Sequence, residues 1–214
     1  EVEGVTAKRA ESLEDAFAIY GQGQIPVMID ENGSTIETLH PPVVVDAILA
    51  KKNLGTKITD APLVIALGPG FCAGRDCHAV IETMRGHTLG RVIWDGEPIP
   101  NTNIPGLIGG LAGERVLRAP CDGIFTAVHR IGDTVEEGET IGFVEGQPMK
   151  CTISGVLRGV LDDGVPVKKG MKSGDVDPRC KPEYCTTISD KALAVGGGVV
   201  EAVLYLRAKA QGRR

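Results

Sequence analysis

Short apolar runs separated by polar segments predict an α/β arrangement in the first third of the chain. Runs of strand length lie at residues 25–29, 43–45 and 63–67. Residues 12–20 have the apolar spacing of a short amphipathic helix that begins after Ser12, and residues 46–52 predict a second helix. Buried runs that alternate with helices are typical of a parallel sheet covered on both faces. This part is therefore predicted to be the tail of a doubly wound, Rossmann-like domain.

Between Arg118 and Val176 the pattern changes to a repeat of glycine and valine positions. A shift of 32 residues places one copy on the other. One copy alone would expose an apolar face and open strand edges, whereas two copies can bury both. The repeat therefore predicts a compact barrel or sandwich of short strands. The matching positions are Gly123, Val128, Gly132, Val135, Gly138, Gly142 and Val144 in the first copy and Gly155, Val160, Gly164, Val167, Gly170, Gly174 and Val176 in the second.

A helix is predicted at the end of the chain, capped by Ser189 and Asp190 and running to about Lys209. Three glycines at positions 196–198 lie inside it, and each costs about 1 kcal/mol relative to alanine. Either another backbone packs closely against them, or the helix restarts there and its new amino end faces a ligand. The predicted segments are 1–60 (partial Rossmann-like α/β domain), 61–112 (glycine-rich strand, turn and helix), 113–178 (β-domain of two repeats) and 179–214 (loop and C-terminal helix).

Composition and charge argue against some classes of molecule as binding partners of the protein. The formal charge of −5 offers no basic surface for nucleic acid, and no apolar run reaches the ~20 residues that cross a bilayer. We therefore expect no nucleic acid, no membrane and a cytoplasmic location. The six cysteines form no CxxC pair and are expected to be reduced thiols. Because no initiator Met precedes Glu1, we also expect a truncated amino terminus.

A glycine-rich turn is the first candidate site. The apolar run 63–67 passes directly into Gly68, Gly70 and Gly74, and a helix is predicted from Asp76 through residues 79–84. Strand, turn and helix in that order can present free N–H groups to an anion. The three glycines are therefore candidate cofactor-binding residues, together with Arg85. A tight structural turn explains them equally well, since neither of the common phosphate-binding fingerprints is present.

Five side chains around this turn are candidates for chemistry. Cys72 or Cys77 could be a thiolate whose pKa is lowered by the start of a helix. Asp76, His78 and His87 could tune that thiolate or bind a metal, although the sequence identifies no metal. Each has a simpler explanation, because Asp76 could cap the helix, a cysteine could be a small buried apolar residue, and a histidine is often hydrogen-bonded in place.

Two resemblances to known proteins follow from these residues. Ala119-Pro-Cys-Asp-Gly123 and Gly132-Asp-Thr-Val-Glu-Glu-Gly138 resemble the barrel-sandwich hybrid of biotinyl and lipoyl carriers. Those carriers attach their cofactor to a lysine at a hairpin tip, where Lys150 is the candidate and a solvated strand end is the alternative. Nearly the whole chain resembles the YqeB-like accessory proteins of selenium-dependent molybdenum hydroxylase systems. The matching motifs are Gly68-Pro-Gly-Phe71, Ala73-Gly74, Asp76, His78, Val80-Ile-Glu-Thr83, Arg85-Gly-His87, Leu89-Gly-Arg-Val92, Pro100-Asn-Thr102, Asp175-Val-Asp-Pro-Arg179, Ser189-Asp-Lys191, Gly197-Gly198 and Glu201-Ala202.

The YqeB-like resemblance implies a role beside molybdenum hydroxylases related to xanthine dehydrogenase, whose active sites carry a labile selenium. The protein would be a maturation factor that helps insert selenium or sulfur or that handles the molybdenum cofactor, with the apo-hydroxylase as its partner. The alternatives are a docking module without chemistry and a lipoyl or biotinyl carrier. Whether the protein is an enzyme, and which oligomer it forms, stay open at this point.

Overall fold

The computed structural model describes residues 1–102 and 106–212, and the chain divides into two compact units. The first unit comprises Glu1–Thr102 and Ile188–Arg214, and the second comprises Asn103–Thr187. The protein is mixed α/β, with several β-sheets and a long C-terminal helix. Residues 103–105 of the second predicted segment, and 213–214 of the fourth, lie outside the described residues. Within the described part of the chain, no helix is both long and apolar enough to cross a membrane.

Within residues 1–102 and 188–212, the first unit contains three helices and six strands. In chain order they are β1 (Ala7–Arg9), α1 (Leu13–Gly21), β2 (Ile25–Val27), α2 (Ser34–Leu39), β3 (Val43–Asp46), β4 (Leu63–Leu67), β5 (Ala79–Ile81), β6 (Val92–Ile93) and α3 (Asp190–Ala210). Strands β1 and β2 form a separate parallel pair. The main sheet has the order β3-β4-β5-β6, in which the first three strands are parallel and β6 is antiparallel.

Both faces of the main sheet are buried, as the continuous apolar strands predict. On one face, Val64 and Val80 pack against Phe71 and Cys77 of the turn that follows β4. On the other face, the sheet packs against α3 through a cluster that includes Val195. Strand β4 is therefore fully enclosed, and the turn after it forms part of the core.

Helix α3 runs without a break through its three glycines, so the expected close approach of another backbone is confirmed and a restart is not. Ser189 caps the helix because its Oγ accepts a hydrogen bond from the N–H of Ala192 at 3.1 Å. A Cβ added to Gly198 would lie 2.3 Å from the carbonyl oxygen of Gly90 and 2.9 Å from Ile81 Cγ2. Only a glycine lets the helix approach that loop so closely. Gly196 and Gly197 have open space instead.

From residue 106 to residue 187, eight strands and two short 3-10 helices build the second unit. The strands are β7 (Val116–Arg118), β8 (Gly123–Ala127), β9 (Thr134–Val135), β10 (Thr140–Val144), β11 (Gln147–Lys150), β12 (Gly155–Val160), β13 (Pro166–Val167) and β14 (Lys172–Asp177), and the 3-10 helices are Gly113–Arg115 and Pro182–Cys185. They form two four-stranded sheets with the orders β11-β10-β8-β13 and β7-β14-β12-β9.

The 32-residue periodicity reappears in the pairing of these strands. Strands β7 to β10 belong to one copy and β11 to β14 to the other, and each sheet takes two strands from each copy. Irregularities in register also recur at equivalent places, between Thr140 and Gly142 and between Lys172 and Gly174. One apolar cluster fills the unit, with Phe125 of the first copy and its counterpart Leu157 of the second both fully buried.

Two helices predicted for the first unit are absent. Residues 79–84 do not form a helix, because Ala79–Ile81 is β5 and pairs in parallel with β4. The predicted helix at residues 46–52 does not form either, because Asp46 ends β3 and residues 47–52 form a loop in which Leu49 and Lys51 have positive φ, a conformation that no α-helix accommodates. The Asp46 carboxylate stabilises this loop by accepting hydrogen bonds from the Ile48 N–H and the Thr56 hydroxyl. The other apolar runs and the two helices capped by Ser12 and Ser189 are confirmed.

Candidate functional site

The glycine-rich turn after β4 is held by its own backbone. Gly68 donates its N–H to Ile81 O at 2.9 Å, and Gly74 donates to Cys77 O at 2.8 Å. Gly68, Gly70 and Gly74 all have positive φ. A Cβ on Gly70 would lie 2.5 Å from Lys52 Cα. The geometry favours the structural explanation of these glycines, since two of the N–H groups expected to face an anion are donated to backbone carbonyls, one in β5 and one in the turn.

Asp76 closes this turn and does not cap a helix. Its Oδ2 accepts the N–H of Cys72 at 2.8 Å, and both carboxylate oxygens accept hydrogen bonds from the Arg75 guanidinium at 3.0 Å. The hydrogen bonds from Arg75 lower the pKa of Asp76, despite some desolvation in the opposite direction. Asp76 is therefore ionised at neutral pH and committed to its two neighbours.

The two cysteines of the turn differ in environment. Cys77 is fully buried between the turn and the sheet, and this burial, followed by the nearby Asp76 charge, raises its pKa to about 12. The prediction of a lowered thiol pKa is therefore wrong for Cys77, because no helix begins beside it and its surroundings are apolar. Cys72 is half-buried, with its Sγ 3.6 Å from Ala73 O. Of the two, Cys72 alone has solvent access.

The two candidate histidines have unrelated surroundings. His78 is half-buried, and its Nδ1 accepts the N–H of Val64 at 3.0 Å, which places the ring proton on Nε2 in the neutral form. His87 lies exposed in the loop between β5 and β6. No group of three or more histidine, cysteine, aspartate or glutamate side chains able to hold a metal occurs among the described residues. The geometry thus gives no support to a metal bound jointly by Asp76, His78 and His87.

Arg85 connects the loop after β5 to the amino end of α3. Its guanidinium pairs with both oxygens of Asp190, the first residue of the helix, with 3.0 Å between Nη2 and Oδ1. A carboxylate in the first helical turn is stabilised by the helix dipole as well as by this partner. Arg85 therefore positions the start of α3 in addition to any contact that it makes with a cofactor.

A cavity of about 420 Å³ lies beside that helix start, and sequence reasoning missed it. Residues at or just beyond the carboxyl ends of three neighbouring strands line one side, namely Ala47, Leu67 and Thr83. Lys191 and Val195 of α3 line the other side. The carboxyl ends of parallel strands are where open α/β sheets bind ligands, which is the signal that could have located it. None of the nine predicted site residues lines this cavity.

The second unit has a polar cavity of about 540 Å³ between two loops that the repeat relates. Residues 127–131 line one side and residues 160–163 the other. His129 lies there with its Nε2 3.1 Å from Glu139 and its Nδ1 3.4 Å from Asp133. His129 and Asp133 belong to the loop between β8 and β9, whereas Glu139 comes from the turn between β9 and β10.

Comparison with known proteins gives one long match. Over 205 residues the chain is 51% identical to a protein of Escherichia coli (strain K12) described as "Uncharacterized protein YqeB", and the match covers 96% of this chain and 38% of that protein. The chain thus spans less than half the length of this relative. The match supports a YqeB-like family, as the motifs suggested. No protein-family model matches the chain.

Two solved structures resemble a smaller part of the chain. One is an aspartoacylase family protein from Mesorhizobium loti, with 17% identity, a TM-score of 0.27 and coverage of 29% of this chain and 22% of that one. The other is a succinylglutamate desuccinylase/aspartoacylase from Rhodobacter sphaeroides, with 24% identity, a TM-score of 0.27 and coverage of 30% and 22%. Similarities at this level carry no inference about fold or function.

Proposed function

We propose that the protein is an accessory factor in the maturation of selenium-dependent molybdenum hydroxylases. Its role would be to assist the insertion of selenium or sulfur, or to handle the molybdenum cofactor, with the apo-hydroxylase as partner in the cytoplasm. The supporting observation is the 51% identity to the YqeB protein over 96% of the chain, which includes the motifs that suggested the family. Because that relative is much longer, the activity of the whole protein is part of the proposal.

Cys72 is the thiol that this role would use. It is half-buried at the surface of the turn, whereas Cys77 is enclosed and its pKa is raised to about 12. Selenium or sulfur transfer requires an accessible thiolate. Asp76, which accepts the Cys72 N–H, would then position the turn that carries the thiol.

The finer description of the fold belongs to the same proposal. Parallel strands β3, β4 and β5 would be the tail of a doubly wound, Rossmann-like domain. The two interleaved sheets of the second unit would be a barrel-sandwich hybrid. The proposal also includes the four predicted segments, whose boundaries follow residues 60, 112 and 178.

Selenium incorporation into the partner tests the thiol role. The protein would be co-expressed with the apo-hydroxylase, and the hydroxylase purified without oxygen for selenium and molybdenum analysis. We expect Cys72→Ser to abolish the gain in selenium, and Cys180→Ser, at an exposed cysteine outside the turn, to leave it unchanged. Equal selenium content with wild type and Cys72→Ser would contradict the role of Cys72.

A docking module without chemistry is the second candidate, favoured by the burial of Cys77 and the internal use of the turn. In that case Cys72→Ser would leave both the selenium content and the complex with the apo-hydroxylase intact. A lipoyl or biotinyl carrier receives less support. Lys150 lies at the end of β11, while the turn between β10 and β11 is formed by Glu145 and Gly146. An intact mass with an adduct on Lys150 would establish the carrier.

A further inference from the structure

The cavity beside α3 has the size and position of a small-molecule site. Its volume of about 420 Å³ falls within the roughly 300 to 1,000 Å³ of typical ligand pockets. Strand β4 ends there at Leu67, and Thr83 lies just beyond β5. Open α/β sheets bind ligands outside the carboxyl ends of their strands.

The walls of the cavity are mainly apolar. Leu49 and Leu67 come from the sheet side, and Val195 and Val199 come from successive turns of α3. Gly196 also lines the cavity, and a Cβ at this position would meet nothing within 4 Å. The absence of a side chain at Gly196 therefore leaves part of this space open, although glycine weakens the helix. An apolar group of a ligand would be well accommodated here.

Lys191 is the charged group that lines this apolar space. Its ammonium forms no ion pair within the described part of the chain. Burial, followed by the positive charges of Lys51 and Arg85, lowers its pKa from 10.5. The negative charge of Glu82 acts in the opposite direction but does not outweigh these causes.

The acidic groups near Lys191 are engaged elsewhere. Glu82 is buried and accepts hydrogen bonds from the Met84 N–H at 2.7 Å and the Ile99 N–H at 2.9 Å. Asp190 pairs with Arg85. A lysine in an apolar cavity, beside two further cations and carboxylates that already have partners, has the electrostatic environment of an anion-binding group.

We propose that this cavity binds a small anionic molecule with an apolar body, whose carboxylate or phosphate pairs with the Lys191 ammonium while its apolar part contacts Leu67, Val195 and Val199. The inference does not depend on the selenium role, because it rests on the cavity and its charges alone. It gives the protein a ligand site apart from the glycine-rich turn.

Titration of the full chain with octanoate and with octyl phosphate, followed by ¹H–¹⁵N NMR, tests the proposal. Both probes carry an apolar chain and an anion, and their relative affinities identify the preferred headgroup. We expect saturable shifts at Leu67, Thr83 and Val195. Lys191→Met keeps the apolar stem and removes the charge, so it should weaken binding about tenfold or more. Lys209→Met, at an exposed lysine of the same helix, should have no effect.

Filling the cavity provides an independent variant. Gly196→Leu places a side chain at the cavity wall and should abolish binding, whereas Gly197→Leu, at an exposed neighbour that does not line the cavity, should leave it unchanged. The dispersion of the NMR spectrum reports whether each variant is folded. No shifts with either probe, shifts confined to other residues, or equal affinities for wild type and Lys191→Met would overturn the proposal.

Discussion

The two units obtain close backbone packing in different ways. In the second unit the same approach occurs twice, since a Cβ on Gly142 would lie 2.5 Å from Thr126 O and one on Gly174 would lie 3.0 Å from Gly159 O. In the first unit, the close approach of Gly198 to Gly90 joins distant parts of the chain and does not belong to a repeat. A glycine contact that occurs in both copies of a repeat is visible in the sequence as a periodicity. A contact that occurs once involves isolated glycines, and their partners can be identified only from the fold.

Polar groups show a similar contrast. In the second unit, the buried Asp177 accepts hydrogen bonds from Arg179 at 2.6 Å and from Arg158 at 3.3 Å. In the first unit, Lys191 faces a cavity and has no such partner within the described residues. Internally satisfied charges stabilise a scaffold, while a charge without a partner marks a place where something can bind. The proposed ligand site therefore lies in the first unit.

Thiol reactivity should give the largest effect. Each unit buries one cysteine, with the pKa raised to about 12 for Cys77 and to about 11 for Cys151. Since only the thiolate reacts, a rise from 9.0 to about 12 predicts alkylation of Cys77 about a thousandfold slower than that of an ordinary thiol, before any steric protection. Iodoacetamide labelling at pH 8, read by peptide mass spectrometry, should modify the exposed Cys180 long before Cys77. Similar rates at Cys77 and Cys180 would contradict the burial described here.

Truncation of the repeat core should give the next largest effect. Phe125 is fully buried at the centre of the second unit, so Phe125→Ala should lower the free energy of unfolding by about 3 to 5 kcal/mol. The control is Phe143→Ala in β10, where the side chain is 38% exposed and the loss should stay below about 1 kcal/mol. Urea titration followed by circular dichroism measures both. Equal losses would mean that Phe125 does not occupy the core.

Stability of the second unit should depend on pH through Asp177. Hydrogen bonds from Arg179 lower the pKa of Asp177 to about 2, below its ordinary 3.8. The ionised form therefore stabilises the folded state above about pH 4, and this contribution disappears as the pH falls through about 2. Asp177→Asn should cost about 2 kcal/mol at neutral pH and only about 0.4 kcal/mol at pH 2, where the folded-state carboxyl is about half protonated. Denaturation curves at several pH values measure this difference, and a deficit that does not change with pH would exclude the ionic explanation.

Adjacent glycines in α3 should respond in opposite directions. Gly198→Ala should destabilise the protein by about 1 to 3 kcal/mol, because its Cβ would clash with the Gly90 carbonyl. Gly197→Ala should stabilise it by up to about 1 kcal/mol, because that position is open and alanine favours the helix. Thermal unfolding followed by the fluorescence of Trp94, the single tryptophan, would detect both changes in the first unit. Shifts of the same sign would refute the close contact at Gly198.

Local signals in the sequence predicted the elements that local chemistry determines. Ser12 and Ser189 cap their helices through side-chain oxygens, and the apolar runs at β3 and β4 form strands. The helix predicted at residues 79–84 was wrong, because a short run of Ala, Val and Ile is compatible with either a helix or a strand. Parallel pairing with β4 decides in favour of the strand, and that pairing depends on a neighbour distant in sequence.

The candidate site was less accessible to sequence reasoning for the same reason. Asp76, Cys77 and His78 are adjacent in the chain, which suggested a cluster, yet their side chains contact the turn, the core and the backbone of β4 respectively. The cavity, by contrast, brings together Leu67, Thr83 and Lys191, which no spacing in the sequence relates. Adjacency along the chain does not bring side chains together unless the backbone directs them to one side.

The interleaving of the two copies in the second unit has a consequence for how such a fold can arise. Each sheet contains two strands from each copy. A peptide that carried one copy alone would therefore lack half of the strands of both sheets. Two such peptides could supply each other's missing strands and assemble as a symmetric, strand-exchanged dimer. The covalent link between β10 and β11 turns that bimolecular encounter into closure within one chain, at a fixed one-to-one ratio and independent of concentration.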